Sequence, residues 1–293
     1  MAQTLITGGL GFTGRVLVKR LISQGEIPLL ILRAERMKDA QVYFGNKIKT
    51  LTLDAFIKSE PNDYMVNRVF HLATMYEYSP TIDQIPNLVD SNITFPTLLA
   101  EKLKSKSNPP SWVNVSTFMQ HYEGKSYFPT SLYAATKQAC EDLFEYYRVS
   151  NQIHVKTLVF PNVYGEDDGR QKLINLLINS VKDKRTMNLS SGNQIMELLH
   201  VSDAVDGLLL TESLEPGRWS FGELESFHIR EIVEVIGRTS KSGIQVSYDS
   251  SKDREFDQLT SWQQGEILPN FSRKINFEEW LLTKIYNQLA VKN

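Results

Sequence analysis

The chain has 293 residues, of which 41% are hydrophobic and 23% charged, with a formal net charge of -2. That length buries a large core and is long for one compact unit, so one large α/β domain with a smaller satellite is expected. The near-neutral charge gives no reason to expect nucleic acid or an anionic membrane as partner, and the lone Cys140 excludes an internal disulfide and a cysteine-rich metal site and fits a reducing compartment.

The N-terminus runs almost directly into an apolar strand, Thr4-Leu5-Ile6, with no basic segment, signal core or cleavage site before it. No apolar run approaches membrane-spanning length, so a cytoplasmic protein with no membrane partner and no bound metal is expected. The strand ends in Thr7-Gly8-Gly9-Leu10-Gly11-Phe12-Thr13-Gly14. Glycines at 8, 11 and 14 let the backbone turn tightly, approach a pyrophosphate and pack a helix on the strand, whose N-terminal N–H groups then bind the anion. The spacing is G-x-x-G-x-x-G rather than the dinucleotide fingerprint G-x-G-x-x-G, and the bland alternative is an ordinary strand-to-helix turn. Context favours a dinucleotide site: Val16, Leu17, Leu21 and Ile22 line one side of a helix, Gly25 stops it, and residues 27–32 read as a buried strand.

Beyond that strand stand Arg33 and Arg36, where an acidic residue accepts hydrogen bonds from a bare ribose and arginine favours a 2′-phosphate. The pair favours NADPH over NADH, against Glu35, which could hold a bare ribose. Residues 48–53 and 68–73 read as the third and fourth strands. Asp54 is a candidate for the adenine amine or for a helix N-cap, and His71 reads as a packed strand histidine. Helical patterning returns over 92–103, Pro109-Pro110 ends it, and residues 112–116 form the fifth strand. A helix over 132–148, a strand over 154–160, an amphipathic stretch over 171–181, the short Leu198-Leu199-His200 segment and a helix from about Ser202 follow. This alternation predicts a doubly wound parallel (Rossmann) sheet with a smaller, interleaved substrate-binding lobe. Residues 1–165 plus about 198–228 are assigned to dinucleotide binding, and about 166–197 plus 229–293 to the lobe.

Tyr133 and Lys137 lie one turn apart on the same helix face. An adjacent ammonium stabilises a phenolate, which is expected to lower the tyrosine pKa and let it exchange a proton with a carbonyl or hydroxyl. Thr117, at the end of the fifth strand, can donate to the same oxygen while a nicotinamide delivers hydride. A Tyr–Lys pair at this spacing is otherwise an ordinary surface pair. Its place after a strand ending in Thr117 and downstream of a glycine-rich first turn makes the combination more specific than any part.

These motifs make the sequence similar to the extended short-chain dehydrogenases/reductases that act on nucleotide sugars. Residues 7–14 resemble their T-G-x-x-G-x-x-G turn, His71-Leu72-Ala73 their H-L-A, Asn92 their helix asparagine, and Tyr133-Ala134-Ala135-Thr136-Lys137 their catalytic pair. Pro161-Asn162-Val163-Tyr164-Gly165 resembles their N-x-Y-G segment and His200-Val201-Ser202-Asp203-Ala204-Val205 their H-V-x-D-x-V. The resemblance implies cofactor contacts from Gly8, Gly11, Phe12, Thr13, Gly14, Arg33, Arg36, Asp54, Leu72, Ala73, Tyr133, Lys137 and Pro161. It implies substrate contacts from Thr117, Phe118, Tyr133, Asn162 and Arg254, and a homodimer through the helices near 92–103 and 132–148.

Two departures stand out. Family dehydratases carry an Asp-Glu pair after the threonine, and here Phe118 and Met119 stand there, neither able to move a proton. Met196 occupies the place near Glu197 where many members carry an arginine, so one customary phosphate contact is missing. Within the family, His71-Leu72-Ala73-Thr74, residues 163–169, Gly192-Asn193-Gln194-Ile195 and the Arg254 region resemble the CDP-abequose synthase-like 4-ketoreductases. That implies NADPH-dependent reduction of the C4 ketone of a CDP-linked, or less readily dTDP-linked, deoxyhexose for lipopolysaccharide O-antigen. The alternatives are a nucleotide-sugar 4-epimerase with tightly held NAD, and a dinucleotide-binding sensor without catalysis. Trp112, Phe118, Met119, His121 and Tyr122 are expected either to wall the sugar site or to fill core and loop.

Overall fold

Short apolar runs closed by glycine, proline or polar residues form the strands, and helices with one apolar face cover them. In this computed structural model, residues 3–60, 63–166, 168–222, 224–240, 243–260 and 265–290 are described; Asp167, within one of the family-like segments, lies outside them. β1 (Gln3–Thr7) leads into α1 (Phe12–Ser23), and β2 (Leu29–Ile31) into α2 (Met37–Phe44). β3 (Lys49–Leu51) is shorter than the apolar run implies. The Thr52 hydroxyl accepts from the Ala55 N–H at 3.1 Å and starts α3 (Leu53–Lys58), so Thr52, and not Asp54, is the N-cap.

β4 (Val66–His71) is followed by α4 (Ile85–Val89), a π-helical turn (Asp90–Thr94) and α5 (Phe95–Leu103). Pro96 favours the widened turn, because it has no N–H to donate and its ring crowds the carbonyl one turn earlier. β5 (Ser111–Thr117), α6 (Leu132–Val149) and β6 (His154–Phe160) match the sequence reading closely. After Pro161 come β7 (Asn162–Tyr164), α7 (Leu173–Asp183), β8 (Met187–Leu189) and β9 (Ile195–His200). The chain continues through α8 (Val201–Glu212), β10 (Gly217–Ser220), β11 (Glu225–His228), α9 (Ile229–Thr239), β12 (Val246–Tyr248), β13 (Glu266–Ile267) and α10 (Phe277–Ala290).

Eight parallel strands form one sheet in the order β3-β2-β1-β4-β5-β6-β10-β13. From β1 the chain builds outward through β2 and β3, then returns to β4 and builds the other way. Ligands of such sheets bind in the crevice where this reversal separates neighbouring strand ends. One apolar layer joins α1 and α8 to the sheet through Leu17, Leu21, Val205 and Leu208, and the opposite layer is filled by Trp112, Phe144 and Leu99. A third cluster gathers Leu177, Ile232, Phe277 and Trp280 around the smaller sheets β11-β9-β7 and β12-β8. Among the described residues, no helix is long and apolar enough to cross a membrane and no His/Cys/Asp/Glu group is placed to hold a metal ion.

Candidate active site

The reversal point is built by β1 and β4, whose ends pair through Thr7 and His71. Gly8 turns there with φ +69°, and a Cβ on it would lie 2.6 Å from the Ala73 nitrogen and 2.7 Å from the Leu72 carbonyl carbon. A Cβ on Gly14 would overlap the Gly8 carbonyl oxygen, so the glycines allow strand, turn and helix to meet without side chains. α1 opens at Phe12 with Gly11 as N-cap, no capping side chain and no acidic residue in its first turn. Its leading N–H groups, including those of Phe12 and Thr13, are therefore left for an anion. This cradle fits a dinucleotide pyrophosphate. The Thr7 hydroxyl also accepts from the Ala73 N–H at 3.2 Å and meets His71 Nδ1 at 2.8 Å, tying the two strand ends together. His71 is buried between Phe95, Trp112 and Phe144, and burial, with the Lys137 charge adding to it, holds its pKa well below the usual value.

At the end of β2, Arg33 and Glu35 are both exposed and stand 3.6 Å apart, while Arg36 pairs with Asp39 at 2.6 Å. Asp54 is exposed and paired with Lys58 at 2.9 Å. The Arg33 cation therefore faces water with only a long, weak partner, as a residue awaiting a phosphate would.

Thr117, Tyr133 and Lys137 come together at the carboxyl end of the sheet. Thr117 closes β5 opposite Phe160, next to Pro161 and Asn162, and its hydroxyl accepts from the Met119 N–H at 3.3 Å. Ser131 caps α6 by accepting from the Ala134 N–H at 3.2 Å, and the buried face of that helix carries Tyr133 and Lys137. The pKa of Tyr133 is not lowered as the pairing with Lys137 implied. Burial pushes it up to about 12, against the Thr74 hydroxyl bonded to it and with Tyr76 adding to the rise. Burial likewise lowers the Lys137 pKa, Cys140 and Glu141 opposing. Desolvating both groups disfavours both charges and outweighs their mutual help.

Asn92, in the π turn, braces this arrangement. Its Oδ1 accepts from the Thr74 hydroxyl (3.0 Å) and the Met75 N–H (2.8 Å), and its Nδ2 donates to the Met75 carbonyl and the Thr136 hydroxyl, both at 3.0 Å. Thr136 donates to the Tyr133 carbonyl at 2.8 Å, closing a ring from phenol to backbone. On the other side, Glu141 accepts from Ser116, from Gln120 Nε2 at 2.8 Å and from Arg218 at 2.5 Å, joining β5, α6 and β10 beneath Thr117.

The wall expected around Thr117 forms only in part. Phe118 and Met119 are half-buried beside it. Trp112 is fully buried in the sheet core because it lies at the opposite end of β5, and His121 is buried with Nδ1 against the Ser126 carbonyl at 3.0 Å. Tyr122 packs with Phe128 and Phe256 at 5.3 and 5.4 Å. Arg254, close to Phe256 in the chain, is exposed and lays its guanidinium over the Tyr78 ring at 4.1 Å. Its turn is held by Asp257, which accepts from the Arg254 N–H at 2.9 Å and from Gln194 Nε2 at 2.6 Å. Met196 pairs across β9 and β11 with Phe227 and packs on the third apolar cluster. Sequence reasoning missed Tyr76, Tyr78 and Lys172: Tyr76 meets Tyr133 edge-on at 4.9 Å, and Lys172 Nζ sits 3.7 Å from the Tyr76 ring centre. The available signal was an aromatic-rich segment directly after β4.

Comparison with known proteins agrees with this geometry. CDP-abequose synthase of Yersinia pseudotuberculosis is 24% identical over 293 residues, covering 97% of this chain and 99% of its own. The dTDP-glucose 4,6-dehydratase of Haemophilus influenzae is 26% identical over 253 residues, covering 76% of this chain and 75% of its own. Among solved structures, MoeE5 in complex with UDP-glucose and NAD superposes with a TM-score of 0.79 at 22% identity, covering 100% of both chains. UDP-glucuronic acid 4-epimerase from Bacillus cereus, solved with UDP-glucuronic acid and NAD, gives 0.82 at 17% identity over 99% of both. The pattern of the NAD dependent epimerase/dehydratase family matches residues 4–217, from β1 to the start of β10 and through every motif of the crevice. The chain belongs to that family, and its fold is the doubly wound sheet of the extended short-chain dehydrogenases/reductases.

Proposed function

We propose that the protein reduces the C4 ketone of a nucleotide-linked 4-keto-6-deoxy- or 3,6-dideoxyhexose with NADPH, the CDP-linked sugar before the dTDP-linked one. The observation that carries the reading is the state of Tyr133: burial keeps its phenol protonated far above neutrality. A reductase needs a proton donor at the ketone oxygen, whereas an enzyme that begins by oxidising a hydroxyl needs a base there. Phe118 and Met119 support the same reading, since neither can transfer the proton that elimination of water requires. So does the similarity to CDP-abequose synthases along nearly the full chain.

When bound, the reduced nicotinamide supplies hydride to the ketone carbon. Tyr133 gives its phenolic proton to the ketone oxygen, Thr117 orients that oxygen through its hydroxyl, and Lys137 stabilises the charge left on the tyrosine. Gly8, Gly11, Phe12, Thr13 and Gly14 hold the pyrophosphate, Leu72, Ala73 and Pro161 border the nicotinamide side, and Arg33 and Arg36 take the 2′-phosphate with Asp54 near the adenine. Phe118, Asn162 and Arg254 contact the sugar nucleotide. In this reading, residues 1–165 plus about 198–228 bind the dinucleotide, and 166–197 plus 229–293 bind the sugar nucleotide. A homodimer through the outer faces of α5 and α6 would cover Leu98, Leu143 and Tyr146, all exposed in the single chain. Tyr133→Phe is expected to lower turnover about 100-fold or more while sugar-nucleotide binding persists; retention of most of the turnover would remove Tyr133 from this role.

A second reading is favoured by the solved neighbours that hold NAD with a sugar nucleotide. A 4-epimerase would keep NAD through its cycle, so denaturing freshly purified protein would release cofactor. Turnover would then consume no NADPH.

A further inference from the structure

We infer that Lys172 and Arg254 together receive the diphosphate of the sugar nucleotide, with Lys172 supplying the positive charge that Met196 does not. The inference rests on the nucleotide-sugar reading above. The two cations arrive from different segments, one at the N-terminus of α7 and one on the turn held by Asp257, and both settle on the same short loop after β4. Lys172 lies over Tyr76 at 3.7 Å, and Arg254 lies over Tyr78 at 4.1 Å. Tyr76 in turn meets Tyr133 at 4.9 Å, so the pair of charges borders the proposed proton donor.

Neither cation has a carboxylate within salt-bridge distance among the described residues, although Arg170 next in line pairs with Asp168 at 2.6 Å. A ring face holds an ammonium or guanidinium more loosely than phosphate oxygens do. Burial, with repulsion from Arg170 and Arg254 against the pull of Asp168, brings the Lys172 pKa down to about 8. A site that disfavours its own cation is relieved when an anion enters. The place where relatives carry an arginine offers no substitute, because the Met196 side chain packs on the third apolar cluster.

The test is binding rather than turnover: calorimetric titration of CDP, UDP and dTDP, and of the matching monophosphates, into the intact wild-type, Lys172→Met and Lys172→Arg proteins. With whichever diphosphate wild type binds, Lys172→Met is expected to weaken affinity about tenfold or more, with a smaller loss for the monophosphate, and Lys172→Arg to restore it. The groups facing Lys172 are Tyr76, Arg170, Asp168 and Arg254, so its own titration sets the pH response. Wild-type affinity is expected to fall between about pH 7 and about pH 9 as the ammonium loses its proton, while the arginine variant, charged throughout, holds level. Undiminished diphosphate binding by Lys172→Met, or an equal loss for the monophosphate, overturns the inference alone. Failure of wild type to bind any of the three diphosphates would instead overturn the nucleotide-sugar reading.

Discussion

Tyr133 shows what one residue's surroundings add to its spacing. The Tyr–Lys interval placed both groups on one helix face, and the structure brings them to the end of β5 beside Thr117. Spacing cannot convey desolvation, which depends on what closes over the phenol: Tyr76 from beyond β4 and the ring of bonds through Thr74 and Asn92. Burial raises the phenol to about 12, so the free protein holds it as a proton donor below that pH and loses the donor only as pH rises through it. The ultraviolet difference between wild type and Tyr133→Phe is therefore expected to show no additional phenolate from about pH 7 to about pH 10, and a phenolate belonging to Tyr133 that forms near neutrality would contradict the reading. Tyr76, Tyr78 and Lys172 were illegible in the sequence for a related reason. Cation–ring contacts between segments far apart in the chain leave no interval to read.

Among the elements, those defined by local patterning were legible and those defined by tertiary contact were not. β6 spans His154–Phe160 as its continuous apolar run implies, and α6 follows the reading to within a residue. The run over 48–53 misled because Thr52 caps a helix inside it. β10 and β13 are too short to show a period and exist by pairing along β6. The helix expected over 92–103 begins earlier and widens into a π turn that presents Asn92 to Thr74, Met75 and Thr136 at once. Asn92→Ala would leave these groups unpaired in a buried site. It is expected to lower unfolding free energy by about 2 kcal/mol or more, read as a lower denaturant midpoint at unchanged slope, with turnover reduced as well. A variant as stable and as active as wild type would deny the asparagine this bracing role.

At the scale of the whole molecule, the alternation of strands and helices sufficed to give the parallel order and the crevice between β1 and β4, because chain reversal in such sheets follows few rules. How the later segments return over that crevice depends on long-range bonds, such as Asp257 to Gln194 and Asp203 to the Ile275 N–H at 3.0 Å, which no local pattern announces. Those returning segments bring Arg254 and Lys172 to the tyrosine loop and give the molecule one proton donor, one anion cradle and one pair of unneutralised cations along a single cleft. Net reduction is the chemistry that uses all three. The most direct measurement is the loss of reduced-nicotinamide absorbance when NADPH or NADH is mixed with the protein and CDP- or dTDP-linked 4-keto sugars. NADPH oxidation with a CDP-linked sugar, matched mole for mole by 4-hydroxy product, is the expected result; conversion of sugar nucleotide with no net nicotinamide consumed, or no conversion despite demonstrated cofactor binding, would contradict it.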